Sequence, residues 1–214
     1  MSWWTLIRGL NLPNKLTLGR MLAVPLFLAC LLAPGPWAAY GALVVFIAAA
    51  LTDYWDGALA RRRGLITNFG RIMDPLADKL LMATAFIAFV QMGYAPAWMV
   101  VLIIAREFAI TGLRVLAAAE GRVIAASTLG KHKTISQIVA VLVILTLHAL
   151  RASLEAWVGP WLEVVGRLPG AGTWLAPVLA WLPFLSMLAA AVFSLYSGVE
   201  YLVKNRHLLK DPVA

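Results

Sequence analysis

The sequence has 214 residues, of which 62% are hydrophobic and only 13% are charged. A soluble domain of this size could not hide so many apolar side chains, whereas six membrane spans of about 20 residues would absorb about 120 residues. The apolar residues form continuous blocks, such as 80–105 and 174–199, and these exclude the alternating pattern of a transmembrane β-barrel. We therefore expect an all-α integral membrane protein.

The predicted elements begin with an interfacial helix over residues 1–12, where several tryptophans and leucines surround Arg8. Six transmembrane helices follow, and an even number of spans leaves both termini on one side of the membrane. They are predicted at 16–33, 37–63, 71–93, 95–119, 134–150 and 174–203.

The connection over 151–173 is the only long one, and we expect it to be a partly helical piece on the extracytoplasmic surface. No internal repeat is evident. The sequence is therefore interpreted as a single membrane domain over 1–214.

The net charge of +8 is distributed unevenly in this topology. Only Arg151 and Arg167 fall on the outer side, whereas the other sixteen basic residues fall on the inner side or in the adjoining half of the bilayer. This distribution follows the positive-inside rule and predicts that both termini are cytoplasmic. It also favours anionic lipids and phosphorylated solutes as partners over nucleic acid.

Four of the ten acidic residues fall within 26 residues around one cytoplasmic loop. Asp53 and Asp56 are spaced i, i+3, and Asp74 and Asp78 are spaced i, i+4, so each pair shares a helix face. An unpaired carboxylate in a membrane helix costs about 2.5 to 3.5 kcal/mol or more. Four carboxylates at one place therefore require cations.

The residue types favour a pair of divalent cations as the charges that neutralise the four carboxylates. Oxygen ligands suit Mg²⁺ or Mn²⁺, and four carboxylates can hold two ions about 3.5 to 4 Å apart for phosphoryl displacement. Gly57 and Ala60 leave the aspartate face of the second span without bulk, so a nucleotide or diphosphate has room there, with Arg61 beside it. The alternative is a structural ion network between the aspartates and nearby arginines.

The spacing of these residues resembles a known signature at every fixed position. The two segments are Asp53-Tyr-Trp-Asp56-Gly57-Ala-Leu-Ala60-Arg61 and Gly70-Arg-Ile-Met-Asp74-Pro-Leu-Ala-Asp78. Together they are similar to the motif of the CDP-alcohol phosphotransferases. The resemblance implies six membrane helices, two divalent cations held by the four aspartates, a CDP-linked donor bound near Gly57, Ala60, Arg61 and Gly70, and a homodimer.

Further segments resemble the bacterial branch of this family that joins CDP-diacylglycerol to glycerol 3-phosphate. They lie at 11–20, 74–81, 106–114 and 130–134. The resemblance places Asn14 and Thr17 at the cytidine, with helix capping as the alternative. It also implies a bacterial cytoplasmic (inner) membrane location with the active site facing the cytoplasm, and Asp78 as the base that deprotonates the acceptor hydroxyl.

Four basic residues predict a site for the phosphate of a soluble acceptor. Arg106 and Arg114 are eight residues apart in the fourth span, about 12 Å along one helix and within about 80° around it, where a guanidinium without a purpose would be costly. Lys131 and Lys133 precede the fifth span. The alternative is that Arg106 pairs with Glu107 or the aspartates, while the lysines only follow the positive-inside rule.

Three other functions are compatible with the composition. A sibling enzyme could use phosphatidylglycerol or an inositol phosphate as its acceptor. A transporter could use the intramembrane acids for permeation, but it would have no need of Gly57 and Ala60. A structural scaffold would tolerate replacement of all four aspartates by asparagine.

Overall fold

The computed structural model describes residues 12–63, 68–119, 128–170 and 172–206, and within these ranges the chain is helical with no strand. The helices are α1 (Leu12–Leu32), α2 (Pro36–Arg63), α3 (Asn68–Gln91), α4 (Ala97–Ala119), α5 (Thr128–Trp157), α6 (Trp161–Gly166) and α7 (Gly172–Lys204). The predicted interfacial helix lies outside the described residues, apart from Leu12.

Three segments of the described helices are long and apolar enough to cross a membrane: Lys15–Leu32, His132–Trp157 and Gly172–Lys204. Shorter apolar stretches cover Pro36–Thr52 and Lys79–Gln91. Large apolar side chains such as Trp181, Phe193 and Val199 are exposed on α7, as expected for a surface that contacts lipid. The protein is therefore an all-helical membrane protein, and the count of six spans stays a prediction.

The predicted ends of the spans differ from the helix ends by a few residues. The largest difference is at the fifth span, where α5 continues past residue 150 to Trp157. Arg151 and Glu155 form an i, i+4 ion pair of 2.9 Å there, so charged residues end the apolar run without ending the helix. The predicted connection over 151–173 is consequently helical at both of its ends and contains α6.

Two turns between helices depend on glycine. Gly35 has a φ of 98° between α1 and α2, and Gly93 has a φ of 77° between α3 and α4. Residues with a side chain rarely adopt such angles. The predicted break at Pro34-Gly35-Pro36 is confirmed, and Pro36 is the first residue of α2, where its missing N–H needs no helical partner.

The chain divides into two compact units. The first comprises the described parts of Met1–Ala88 together with His148–Trp161, and in it α1 packs against α2. Phe27 and Phe46 are fully buried there with ring centroids 5.9 Å apart. The Tyr40 and Ser153 hydroxyls, 3.3 Å apart, hydrogen-bond α2 to the end of α5.

The second unit comprises Phe89–Leu147 and the described part of Leu162–Ala214. Here α4 packs against α7. Ile110, Leu113 and Ala117 of α4 form a buried cluster with Tyr201 of α7. This helix pair positions the basic residues of α4.

Candidate active site

The two aspartate pairs lie near the end of one helix and near the start of the next along the chain. Asp53 and Asp56 lie in the last three turns of α2, and Asp74 and Asp78 lie in the first three turns of α3. The predicted helical placement is confirmed, so each pair shares a face of its helix. The convergence of the four carboxylates lies outside the described side chains and stays a prediction.

The donor set of these helices fits a hard divalent cation. Each helix supplies two carboxylates at helical spacing, and oxygen ligands of this kind are the ones that Mg²⁺ and Mn²⁺ prefer. Elsewhere, among the side chains that the structure describes, no group of three or more His, Cys, Asp or Glu is arranged to hold a metal ion.

The residues predicted to bind the nucleotide lie on three helices. Gly57, Ala60 and Arg61 follow the aspartates on α2, and Gly70 lies in the first turn of α3. Thr17 lies on α1 and is only 1% exposed. Asn14 is the third residue of α1, and its side chain, like that of Arg61, lies outside the described part.

Arg106 is largely buried in the second unit, with its side chain 11% exposed. Its Nη2 donates a hydrogen bond of 2.8 Å to Ser197 Oγ on α7. Its Nη1 lies 4.0 Å from Glu107 Oε1, and its Nε is buried without a hydrogen-bond partner. The guanidinium has five N–H donors, so this arrangement leaves it capacity for an anion.

Gly198 allows Arg106 to lie against α7. A Cβ atom at position 198 would be 2.7 Å from Arg106 Cγ, which is closer than real Cβ contacts. The glycine is buried in α7, next to the Ser197 that receives the hydrogen bond. Glycine at this position therefore determines how closely the arginine side chain approaches the helix.

Arg114 is held by Tyr201, one turn further along α7. Its Nε donates a hydrogen bond of 3.1 Å to the Tyr201 hydroxyl, and its guanidinium carbon lies 5.4 Å from the ring centroid. This distance is within the range of a cation–π interaction. Both α4 arginines thus have a neutral partner on α7, which positions the guanidinium without neutralising its charge.

Lys133 on α5 forms an ion pair with Glu107, and its side chain is 8% exposed. Glu107 thereby contacts a lysine and lies beside an arginine, both of them predicted phosphate ligands. Part of the alternative interpretation is therefore observed, since Glu107 does pair with cations. Lys131 also lies on α5, but its side chain is outside the described part.

The second unit therefore carries more positive than negative charge at this place. Arg106, Arg114 and Lys133 provide three cations and Glu107 one carboxylate, while Glu200 of α7 pairs with Lys204 and adds no net charge. Arginine forks bind phosphate in bidentate fashion, and lysine adds a point charge. This chemistry suits a small phosphorylated solute.

Comparison with known proteins identifies the family. The family model described as CDP-alcohol phosphatidyltransferase matches residues 10–196, which is most of the chain. The chain belongs to this family. The match covers the aspartate segments of α2 and α3 as well as the basic residues of α4 and α5.

Curated relatives from the CDP-alcohol phosphatidyltransferase family agree over nearly the full length. The chain is 42% identical over 214 aligned residues to a CDP-diacylglycerol–glycerol-3-phosphate 3-phosphatidyltransferase of Bacillus subtilis, which covers 94% of this chain and 97% of the relative. A protein of the same name from Shigella flexneri is 36% identical over 211 residues, with 94% and 98% covered. A cardiolipin synthase (CMP-forming) of rice is 36% identical over 150 residues, covering 64% of this chain and 46% of the relative.

The structure adds residues that the sequence analysis did not select in this family member. They are Ser197, Gly198 and Tyr201, all on α7 and all in contact with an α4 arginine. Their spacing in the sequence offers one signal, because Ser194, Ser197 and Tyr201 follow at i, i+3 and i+7 in an otherwise apolar helix. Polar residues on one face of a membrane helix indicate a partner inside the protein.

Proposed function

We propose that this CDP-alcohol phosphatidyltransferase transfers the phosphatidyl group of CDP-diacylglycerol to the sn-1 hydroxyl of glycerol 3-phosphate, producing phosphatidylglycerophosphate and CMP in phospholipid biosynthesis. The observation that carries the acceptor assignment is the pair of α4 arginines, each held by a neutral α7 side chain. A free polyol such as inositol would give no reason to keep two guanidiniums in this helix. The full-length relatives support the same reaction.

The donor site in this proposal comprises the aspartates of α2 and α3. Asp53, Asp56, Asp74 and Asp78 would hold two Mg²⁺ or Mn²⁺ ions. Bound there, such ions supply Lewis-acid stabilisation of charge on the donor diphosphate. Gly57, Ala60, Arg61 and Gly70, with Asn14 and Thr17 of α1, would bind the CDP part of the donor.

The transfer step requires a base for the acceptor hydroxyl. Asp78 accepts the proton of the sn-1 hydroxyl as its oxygen forms a bond to the β-phosphorus of the donor. The bond from this phosphorus to the bridging oxygen breaks, and the electron pair leaves with CMP. Asp78 is chosen by the family resemblance.

The acceptor phosphate binds to the basic residues of the second unit in this proposal. Arg106 and Arg114 provide planar forks, and Lys131 and Lys133 add point charges. Glu107 positions Lys133, because the two form an ion pair. In the predicted orientation this site faces the cytoplasmic side of a bacterial inner membrane. The protein acts as a homodimer in this proposal.

The experiment that tests the reaction is release of CMP by the purified protein in detergent, with CDP-diacylglycerol and Mg²⁺ or Mn²⁺. Glycerol 3-phosphate is compared with glycerol, inositol phosphate, serine and phosphatidylglycerol as acceptors. Release with glycerol 3-phosphate alone is the expected result. Omission of the metal, or addition of a chelator, should abolish release.

A different acceptor would assign the protein to another branch of the family. The rice cardiolipin synthase makes phosphatidylglycerol the acceptor to compare first. CMP release with that lipid and none with glycerol 3-phosphate would overturn the acceptor assignment and leave the donor site unaffected. No release with any acceptor would overturn the whole proposal.

A further inference from the structure

Four described side chains of the second unit carry a buried polar atom without a hydrogen-bond partner: Arg106, Gln137, Ser194 and Glu200. Gln137 and Ser194 are the two neutral ones. Gln137 on α5 is 4% exposed, and its side-chain Nε2 has no hydrogen-bond partner. Ser194 on α7 is 0% exposed, and its Oγ has no partner either. Buried polar groups are normally paired, because an unpaired one destabilises the fold. Both atoms can therefore form a hydrogen bond with a group that the folded chain does not supply, and a substrate hydroxyl has the chemistry to do so.

Their positions relate them to the basic residues. Gln137 lies one turn after Lys133 on α5, and Lys133 pairs with Glu107. Ser194 lies about one turn before Ser197 on α7, and Ser197 binds Arg106. Since Arg106 and Glu107 are neighbours on α4, these two bonds connect both helices to α4 at the same level.

The helix directions place both groups on the same side of this level. Arg106 and Arg114 bind Ser197 and Tyr201 in the same order, so α4 and α7 run in the same direction. In the predicted topology α5 runs in the opposite direction. Gln137 therefore lies about 6 Å from Lys133 along α5, and Ser194 lies about 4.5 Å from Ser197 along α7. Both displacements point toward the extracytoplasmic side of the predicted topology.

We propose that the Gln137 amide and the Ser194 hydroxyl bind the secondary hydroxyl of the acceptor, at C2, while the phosphate lies at the cationic level. This inference rests on the proposed function and deepens it. A neutral amide and a neutral hydroxyl suit an uncharged hydroxyl of the acceptor rather than its phosphate. Gln137 Nε2 donates a hydrogen bond to the oxygen of the C2 hydroxyl, and Ser194 Oγ accepts a hydrogen bond from that hydroxyl or donates a second one to it.

Such a subsite determines specificity. A site that hydrogen-bonds a substrate hydroxyl strongly disfavours the analogue without it, because the buried protein groups are then left unpaired. The analogue here is 3-hydroxypropyl phosphate, which has the phosphate and the primary hydroxyl of glycerol 3-phosphate but no hydroxyl at C2. Wild-type enzyme should use this analogue about a hundredfold less efficiently, measured as kcat/KM from CMP release.

The variants Gln137→Met and Ser194→Ala remove one polar group each and largely conserve volume. We expect each to lower kcat/KM for glycerol 3-phosphate about tenfold or more, and to change kcat/KM for 3-hydroxypropyl phosphate by less than about threefold. Their thermal stability should be unchanged or higher, because an unpaired buried polar group is removed. A melting temperature equal to or above that of the wild type then excludes unfolding as the cause of a loss of activity.

Matched controls exist for both substitutions. Gln91→Met changes the other glutamine of the chain, which is exposed at the end of α3. Ser186→Ala changes an α7 serine whose Oγ already donates to the Pro183 carbonyl at 2.8 Å. Neither control should alter the preference between the two acceptors.

Several results would overturn the subsite. Equal losses on both acceptors would assign Gln137 and Ser194 a structural role, and unchanged kinetics in both variants would mean that a buried water satisfies them. A wild-type enzyme that does not discriminate between the two acceptors would also overturn it. Failure of the proposed function is distinguishable, because the wild-type enzyme would then release no CMP with glycerol 3-phosphate.

Discussion

The aspartate segments and the arginine cluster differ in the sequence distance between the residues that act together. The four aspartates fall within 26 residues, on helices that follow one another. Arg106 and its partner Ser197 are 91 residues apart, and Arg114 and Tyr201 are 87 residues apart. The first arrangement is evident from spacing alone, whereas the second becomes evident only when α4 and α7 are seen to pack together. The two regions should therefore respond differently to substitution.

The largest effect is expected at the aspartates, because each of them has a direct role in the proposed reaction. Asp53→Ala, Asp56→Ala or Asp74→Ala should lower turnover about a thousandfold or more, because residues that act as a unit fail together. Asp78→Asn should lose turnover but retain much of its binding of CDP-diacylglycerol. The measurements are CMP release and donor binding by the purified variants.

Glu163→Gln is the control for this comparison, since this acid is exposed and pairs with Arg167 in the connection between α5 and α7. It should retain wild-type turnover. Wild-type turnover in Asp78→Asn would show that Asp78 is not the base. Near-normal turnover with all four aspartates changed to asparagine would favour a scaffold.

A smaller effect is expected when either α4 arginine is changed to lysine. Arg106→Lys or Arg114→Lys keeps the charge but loses the planar fork, so kcat/KM for glycerol 3-phosphate should fall about 10- to 100-fold. The KM for CDP-diacylglycerol should not change. Arg167→Lys, an exposed residue in the connection between α5 and α7, is the control. Unchanged kinetics toward the acceptor in both variants would refute the phosphate site.

A still smaller effect is expected from Gly198→Ala. The added Cβ would collide with Arg106 Cγ at 2.7 Å, so the arginine must shift away from α7, and kcat/KM for the acceptor should fall about 3- to 10-fold. Gly112→Ala on α4 is the matched control, because a Cβ there meets nothing within 4 Å. The same result in both variants would mean that helix propensity, rather than contact with Arg106, causes the change.

A small effect is also expected from Tyr201→Phe. The substitution removes the hydroxyl that accepts the Arg114 hydrogen bond and keeps the ring beneath the guanidinium. One such hydrogen bond contributes about 1 kcal/mol, so the acceptor KM should rise about fivefold. Tyr196→Phe, on the exposed face of α7, should have no effect. A large loss of kcat with unchanged KM would instead indicate a role for the Tyr201 hydroxyl in the chemical step.

The sequence predicted the helical class, the helix breaks and the backbone placement of the aspartates, because periodicity and turn residues are local signals. Helix ends were less predictable where charged residues continue a helix, as Arg151 and Glu155 do in α5. The single-domain interpretation over 1–214 and the homodimer stay predictions.

Within the candidate site, the basic residues could be predicted from the sequence, whereas the side chains that hydrogen-bond to them could not. Arg106 and Arg114 stand out as charges in an apolar helix, so the sequence alone shows that they need an anion or a hydrogen-bond acceptor. Which side chains meet them depends on the packing of α4 against α7. Gln137 and Ser194 are noticed only through burial, which a sequence does not state.

The hydrogen bond between Arg106 and Ser197 also bears on how the protein is made. The ribosome adds 91 residues between the two, which takes about 5 to 18 s at about 5 to 20 residues per second. During that interval α4 exists before its partner helix, with Glu107 beside the arginine from the start and Lys133 following on α5. Synthesis of α7 then supplies Ser197 Oγ, which accepts the hydrogen bond from Arg106 Nη2. A truncated chain lacking α7 should therefore be a substrate for membrane quality control, since its α4 keeps a charge that the finished protein accommodates.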